Sequence, residues 1–143
     1  MIRLESWIVQ YLNNYLSAAN QAKQQMGARD IILNPLLEAK PIDTTGGEAT
    51  FWDEEEIPSG RWWVIIGFWF SSTTGMGECE LKRDRATIEK FYAGEAHSDD
   101  SIVVLTVPVL FKAGEKVSLT IGQDGAGGTA TVKAIGFELH FKK

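Results

Sequence analysis

Two histidines and one cysteine are the residues of this 143-residue chain with the most chemistry to offer near neutral pH. His97 sits in the polar run Gly94-Glu95-Ala96-His97-Ser98-Asp99-Asp100. A Ser-His-Asp set could be named from Ser98, His97 and Asp99, but a triad needs side chains that converge in space, which sequence neighbours do not supply. His140 lies near the C-terminal end on an alternating strand pattern. Cys79 stands between Glu78 and Glu80, and two carboxylates raise a thiol's pKa, so it reads as a small buried hydrophobe rather than a nucleophile. No catalytic residue is therefore assigned. Asp99, Asp100 and Asp124 are the candidates for calcium, which needs several oxygens closing on one point, and no EF-hand spacing is present. No metal and no cofactor are expected. The acidic run Asp53-Glu54-Glu55-Glu56 reads as a solvated loop, or else a surface for a basic partner. The stretch Gly122-Gln123-Asp124-Gly125-Ala126-Gly127-Gly128 lacks the Lys-Ser/Thr of a phosphate loop and reads as a hairpin loop, a place for a binding tip.

The elements that must position these residues follow from composition and period. Hydrophobic residues make up 44% and charged residues 23%, the balance of one globular domain. The net charge is −5 with no basic tract, which speaks against nucleic acid. A single cysteine makes no internal disulfide. The opening MIRLESWIVQYLNNY has no continuous apolar core before small cleavage-site residues, so no signal peptide is read there. No run of 18 apolar residues is present, so no membrane span is expected.

Apolar residues at Leu4, Ile8, Tyr11, Tyr15, Ala18 and Ala22 recur at heptad spacing and predict a helix over residues 4–26, ended by Gly27. Trp7, Leu12, Ala19 and Met26 form a flanking stripe. The helix is read either as lying on its own domain or as a partner-binding element through Leu4, Trp7, Ile8, Tyr11, Leu12 and Tyr15, in which case it is dispensable for folding of the rest. Its Asn- and Gln-rich polar face disfavours a membrane surface. Residues 28–47 read as an extended connector with a short strand near 36–42. From residue 48 the period is two. Residues 61–70 (RWWVIIGFWF) are apolar on both faces, with Trp62, Val64, Ile66, Phe68 and Phe70 on one and Trp63, Ile65 and Trp69 on the other. Such a strand must be covered twice, by a facing sheet and by the N-terminal segment or another subunit. Further strands are read at 78–82, 87–92, 102–111 (a bulge or edge at Pro108), 117–121 and the C-terminal segment. In that last segment Ile135, Phe137, Leu139 and Phe141 share a face.

Three stretches in order carry a resemblance. They are Pro58-Ser59-Gly60-Arg61-Trp62-Trp63-Val64-Ile65-Ile66, then Leu110-Phe111-Lys112-Ala113-Gly114-Glu115-Lys116-Val117-Ser118-Leu119. The third is Gly128-Thr129-Ala130-Thr131-Val132 with Ile135-Gly136-Phe137-Glu138-Leu139. Residues 48–143 thereby resemble the tumour necrosis factor-like superfamily, specifically the globular heads of complement-type collagen-like proteins. The closing strand departs from the pattern, with Ile135 in place of the usual aromatic, and there is no collagen-like or transmembrane stalk. The resemblance implies an all-β jelly-roll sandwich that packs as a trimer through aromatic faces. Trp62, Trp63, Ile65, Trp69 and Phe137 are then the expected trimer interface.

The expected organisation is an N-terminal helix over 1–27, a connector over 28–47 and a jelly roll over 48–143. The expected function is non-enzymatic. It is that of a homotrimeric phage capsid decoration or cement protein, or a tail or collar component, made in the host cytoplasm and resident in the virion. Its partner would be the major capsid protein or another virion protein, with no nucleic acid and no membrane. The alternative is a soluble ligand- or carbohydrate-binding adhesin head, and a jelly-roll enzyme is a remote third.

Overall fold

The computed structural model describes the backbone of residues 2–95 and 101–143, and the side chains of these apart from 2–12, 15 and 95. Helix α1 (Ile2–Met26) is followed by nine strands: β1 (Asp30–Pro35), β2 (Ala39–Asp43), β3 (Ala49–Glu56), β4 (Arg61–Phe70), β5 (Met76–Arg83), β6 (Ala86–Tyr92), β7 (Ser101–Phe111), β8 (Lys116–Gln123) and β9 (Thr129–Lys142). One antiparallel sheet, sheet A, has the order β1-β9-β4-β7, with β2 also on β9. The other, sheet B, has the order β3-β8-β5-β6. From β2 to β5, and again from β6 to β9, consecutive strands alternate between the sheets, the connectivity of a jelly-roll β-sandwich.

Two strands stand where the sequence reading has a connector with one. Pro35 and Pro41 break the alternation that would mark them, and both are tolerated because β1 and β2 share one outer side of β9. The 14-residue β9 is long enough to pair with β2 along its first half and β1 along its second.

Between the sheets lies the main core, built on Phe51, Trp52, Trp63, Ile65, Phe68, Phe70, Leu81, Phe111, Val117, Leu119 and Ile121. The alternation of Val117, Leu119 and Ile121 places them inward, and Cys79 and Leu81 on β5 do the same. Strand β4 departs from simple alternation. Trp63 and Ile65 face inward, but so do Phe68 and Phe70, because the register of β4 shifts between Ile65 and Gly67 against both neighbours. That bulge inserts Ile66 and exchanges the two faces of the strand. Gly67 is required there: a Cβ would stand 2.2 Å from the Val103 carbonyl oxygen.

A second core lies on the opposite face of sheet A. Ala19 and Ala22 of α1 are buried against Trp62, Val64, Leu139 and Phe141, with Ala18, Met26, Ile31, Leu110 and Phe137 packed around them. The apolar row of β9 thus serves the helix, while Ala130, Val132 and Ala134 face the main core. Small alanines let the helix axis come close, and Gly27, at φ 67°, ends the helix in the left-handed conformation. The C-terminal half of the helix closes one of the two cores, which weighs against the expectation that the helix is dispensable for folding.

At one end of the sandwich three loops interlock. Buried Thr44 donates its hydroxyl to Gly75 O (2.6 Å) and accepts from the Gly128 amide (3.0 Å). Thr44→Val would strand the Gly128 amide and leave Gly75 O with only the Asp124 amide as donor, and is expected to cost about 1–3 kcal/mol, read as a lower denaturation midpoint with unchanged m-value.

Candidate functional site

Of the residues first considered for chemistry, His97, Ser98, Asp99 and Asp100 lie outside the described residues. Among the described residues no group of three or more His, Cys, Asp or Glu is placed to hold a metal ion. Cys79 is fully buried, its Sγ 3.6 Å from Gly77 O. Burial pushes its thiol up to about 12, and the neighbouring Glu78 carboxylate adds to the rise. A thiol so raised carries almost no thiolate at pH 8. The native protein is expected to react with a disulfide reagent at least about a hundredfold more slowly than the unfolded chain, and comparable rates would contradict this placement.

The acidic run is divided by its structure. Glu54 is held in a positive-φ conformation, its carboxylate pairs with the Arg85 guanidinium at 2.8 Å, and its amide donates to the Ser118 hydroxyl oxygen at 3.0 Å. The hydrogen bond and charge of Arg85 hold the Glu54 carboxyl below its ordinary value. Asp53, Glu55 and Glu56 border this pair on the edge strand β3.

The residues expected to meet neighbouring copies fall in three places. Trp63 and Ile65 belong to the core between the sheets. Trp62 and Phe137 pack beneath α1, with the Trp62 ring edge-on to Phe141 at 5.0 Å and Lys112 Nζ 5.4 Å from its centroid. For Trp62, Trp63 and Ile65 the interface assignment is corrected: the chain's own elements leave them at most 5% exposed. Trp69 differs. The bulge turns it away from the main core, and it stays half-exposed with Lys133 Nζ 5.5 Å from its ring centroid. The side chains of Leu4, Trp7, Ile8, Tyr11, Leu12 and Tyr15 lie outside those described.

Around Trp69 the outer face of sheet A carries an apolar surface beyond the helix contacts. One cross-strand row joins Ile102, Trp69 and Lys133; the next joins Val104, Gly67 and Ile135. Their neighbours Val103, Phe68 and Ala134 face the main core, so alternation turns these side chains outward. Ile102 is 62% and Val104 65% exposed. Strand β7 is the edge of the sheet and, among the described strands, the only one without a charged residue. A pocket lined by Pro108, Val109 and Leu110 with Arg83, Ile88, Lys112 and Glu115 lies toward the far end of this strand; the exposed aliphatic side chains of Ile102 and Val104 are suited to contact with a matching apolar surface.

No helix among the described residues is long and apolar enough to cross a membrane. No protein-family model matches the sequence, and no curated protein matches it. Among solved structures the chain is similar to the CBM36-1 domain of a multidomain xylanase from the hindgut metagenome of Trinervitermes trinervoides. The identity is 11% and the TM-score 0.36, over 77% of this chain and 96% of that one. The chain is a mostly β, antiparallel jelly-roll sandwich with one N-terminal helix packed on the outside of sheet A.

Proposed function

We propose that this protein is a non-enzymatic assembly module, a trimeric structural component of a larger particle. The reading extends to a virion decoration or tail protein that binds the major capsid protein or another virion protein. The observation that carries it is the uncovered apolar surface of Ile102 and Val104 beside Trp69, on an edge strand without charge. Soluble chains seldom leave such an edge bare, because it invites pairing with other chains. The tumour necrosis factor-like resemblance belongs with this proposal. Its three stretches fall on the approach to β4, on the β7–β8 turn and on β9. Light scattering on the purified protein tests the oligomeric state. A mass of three chains is expected, and a single-chain mass at all concentrations overturns the reading.

A carbohydrate-binding head is the second reading, and one observation favours it. Tyr92 on β6 keeps 41% of its surface exposed at the loop end. A Cβ on Gly94 would stand 2.9 Å from the Tyr92 ring and 3.3 Å from Asp124 Oδ2, so an aromatic face and a carboxylate gather at one point. Sugars are held by that pairing of ring face and hydrogen-bond acceptor. Titration with soluble oligosaccharides decides it: saturable binding lost in Tyr92→Ala supports this reading, and no heat or shift at millimolar sugar removes it.

A further inference from the structure

We propose that copies of this chain meet through the outer face of strand β7, with Ile102 and Val104 at the centre of the contact. The inference rests on the reading that the protein self-associates, and it names the surface. The strand edges of the sandwich differ in the charge they would present to another copy. The edge strand β3 ends in Asp53, Glu54, Glu55 and Glu56, and the edge strand β6 carries Glu89 and Lys90. On the far side of sheet A, β1 begins with Asp30, and β2 carries Lys40 and Asp43. Charges along an edge are the usual guard against pairing. Strand β7 has none over Ser101–Phe111.

The occupant follows from charge. A second copy brings its own net charge of −5, so contact is repelled at the acidic β3 edge. It meets no such repulsion over β7 and the adjoining part of β4. Lys133 is the one charged group on the two cross-strand rows, and it is already drawn over the Trp69 ring. The side chains presented are also alike in kind. Ile102, Val104 and Ile135 are aliphatic and pack against their own kind without any polar group left unpaired. The three extra β7 residues Thr106, Val107 and Pro108, set between the pairs Ile65–Val109 and Gly67–Val104, end the flat part of the face. The contact is thereby confined to the segment that carries Ile102 and Val104.

The test compares the wild-type chain with the double variant Ile102→Lys, Val104→Lys and with Leu37→Lys. Leu37, 85% exposed in the β1–β2 connection, is a control for added charge elsewhere. Mass is read by sedimentation over a wide concentration range, and folding by a thermal melt. The wild type and Leu37→Lys are expected as multi-chain species. The double variant is expected to raise the association midpoint at least about a hundredfold and to melt as a folded single chain. If the lysines prevent folding, Ile102→Thr, Val104→Thr keeps β-branched side chains and reads the same shift. A multi-chain double variant with unchanged midpoint overturns the β7 contact while leaving self-association standing. So does unchanged mass with a much lower melt, which would mean that another part of the same chain covers this face. A single-chain wild type at every concentration overturns both.

Discussion

Removal of residues 1–27 is expected to leave a chain that no longer melts cooperatively near the temperature of the full-length protein. The helix buries Trp62, Val64, Leu139 and Phe141 on the outside of sheet A. Each large apolar side chain returned to water costs about 1.5–3 kcal/mol when burial is fully lost. Four such residues, even partly exposed, consume most of the roughly 5–15 kcal/mol by which a domain is stable. The truncated chain should also bind a hydrophobic dye, because Trp62, Phe137, Leu139 and Phe141 would form one contiguous exposed apolar patch. A truncated chain that melts within a few degrees of the intact one would show that the helix contact is incidental. Trp62→Ala in the full chain gives an independent measure, with an expected loss of about 3–5 kcal/mol.

Trp52→Ala should be as damaging, and Trp52→Phe much less so. Trp52 is fully buried between the sheets, with ring centroids 4.8 Å from Phe51 and 5.7 Å from both Trp63 and Phe68. Truncation to alanine removes a whole indole from this cluster and is expected to cost about 3–5 kcal/mol. Phenylalanine keeps most of the apolar contact. It also deletes the indole N–H, which has no hydrogen-bond partner, so the loss of volume is offset by removal of a stranded donor. An expected cost below about 1.5 kcal/mol follows for Trp52→Phe. Trp63 makes the contrast sharper, since its Nε1 donates to Glu138 Oε2 at 2.9 Å, and Glu138 also accepts from Arg61. Trp63→Phe would leave part of a half-buried carboxylate without its donor. Chemical denaturation of the three variants separates these cases, and equal losses for Trp52→Phe and Trp52→Ala would refute the account.

The β architecture is legible in the sequence where alternation is clean. Val117, Leu119 and Ile121 on β8 and Cys79 and Leu81 on β5 all point inward as their spacing requires. The double cover demanded by residues 61–70 is also real, and one of the two covers is the N-terminal helix. What alternation cannot reveal is a change of phase. Counting by twos through β4 puts Phe68 and Phe70 with Trp62, but the bulge at Ile66 moves them to the side of Trp63. The only local hint is Gly67, a glycine inside an otherwise apolar strand. Apolarity likewise does not say who provides the cover. Trp62, Trp63 and Ile65 are satisfied within the chain, whereas Ile102 and Val104 are left outside. The signal that could have found the latter pair is the lack of any charge over residues 101–111, which is as readable in the sequence as any motif.

The inserted residue in β4 acts like a shift in reading frame. Before Ile66 the odd positions are read by the main core; after it the even ones are. Deleting that one residue would put the whole strand in a single phase. Trp63, Ile65, Phe68 and Phe70 would keep their places in the sandwich, in step with β9, whose own frame never changes and presents Ala134 and Val132 to the interior. A single residue removed elsewhere in the interior of the strand, with the bulge kept in place, would instead carry part of its side chains to the opposite face. Length on either side of the bulge is thus a heritable constraint of its own, separate from the identity of any side chain, and the bulge is the one place where a residue can be lost without changing what faces the core.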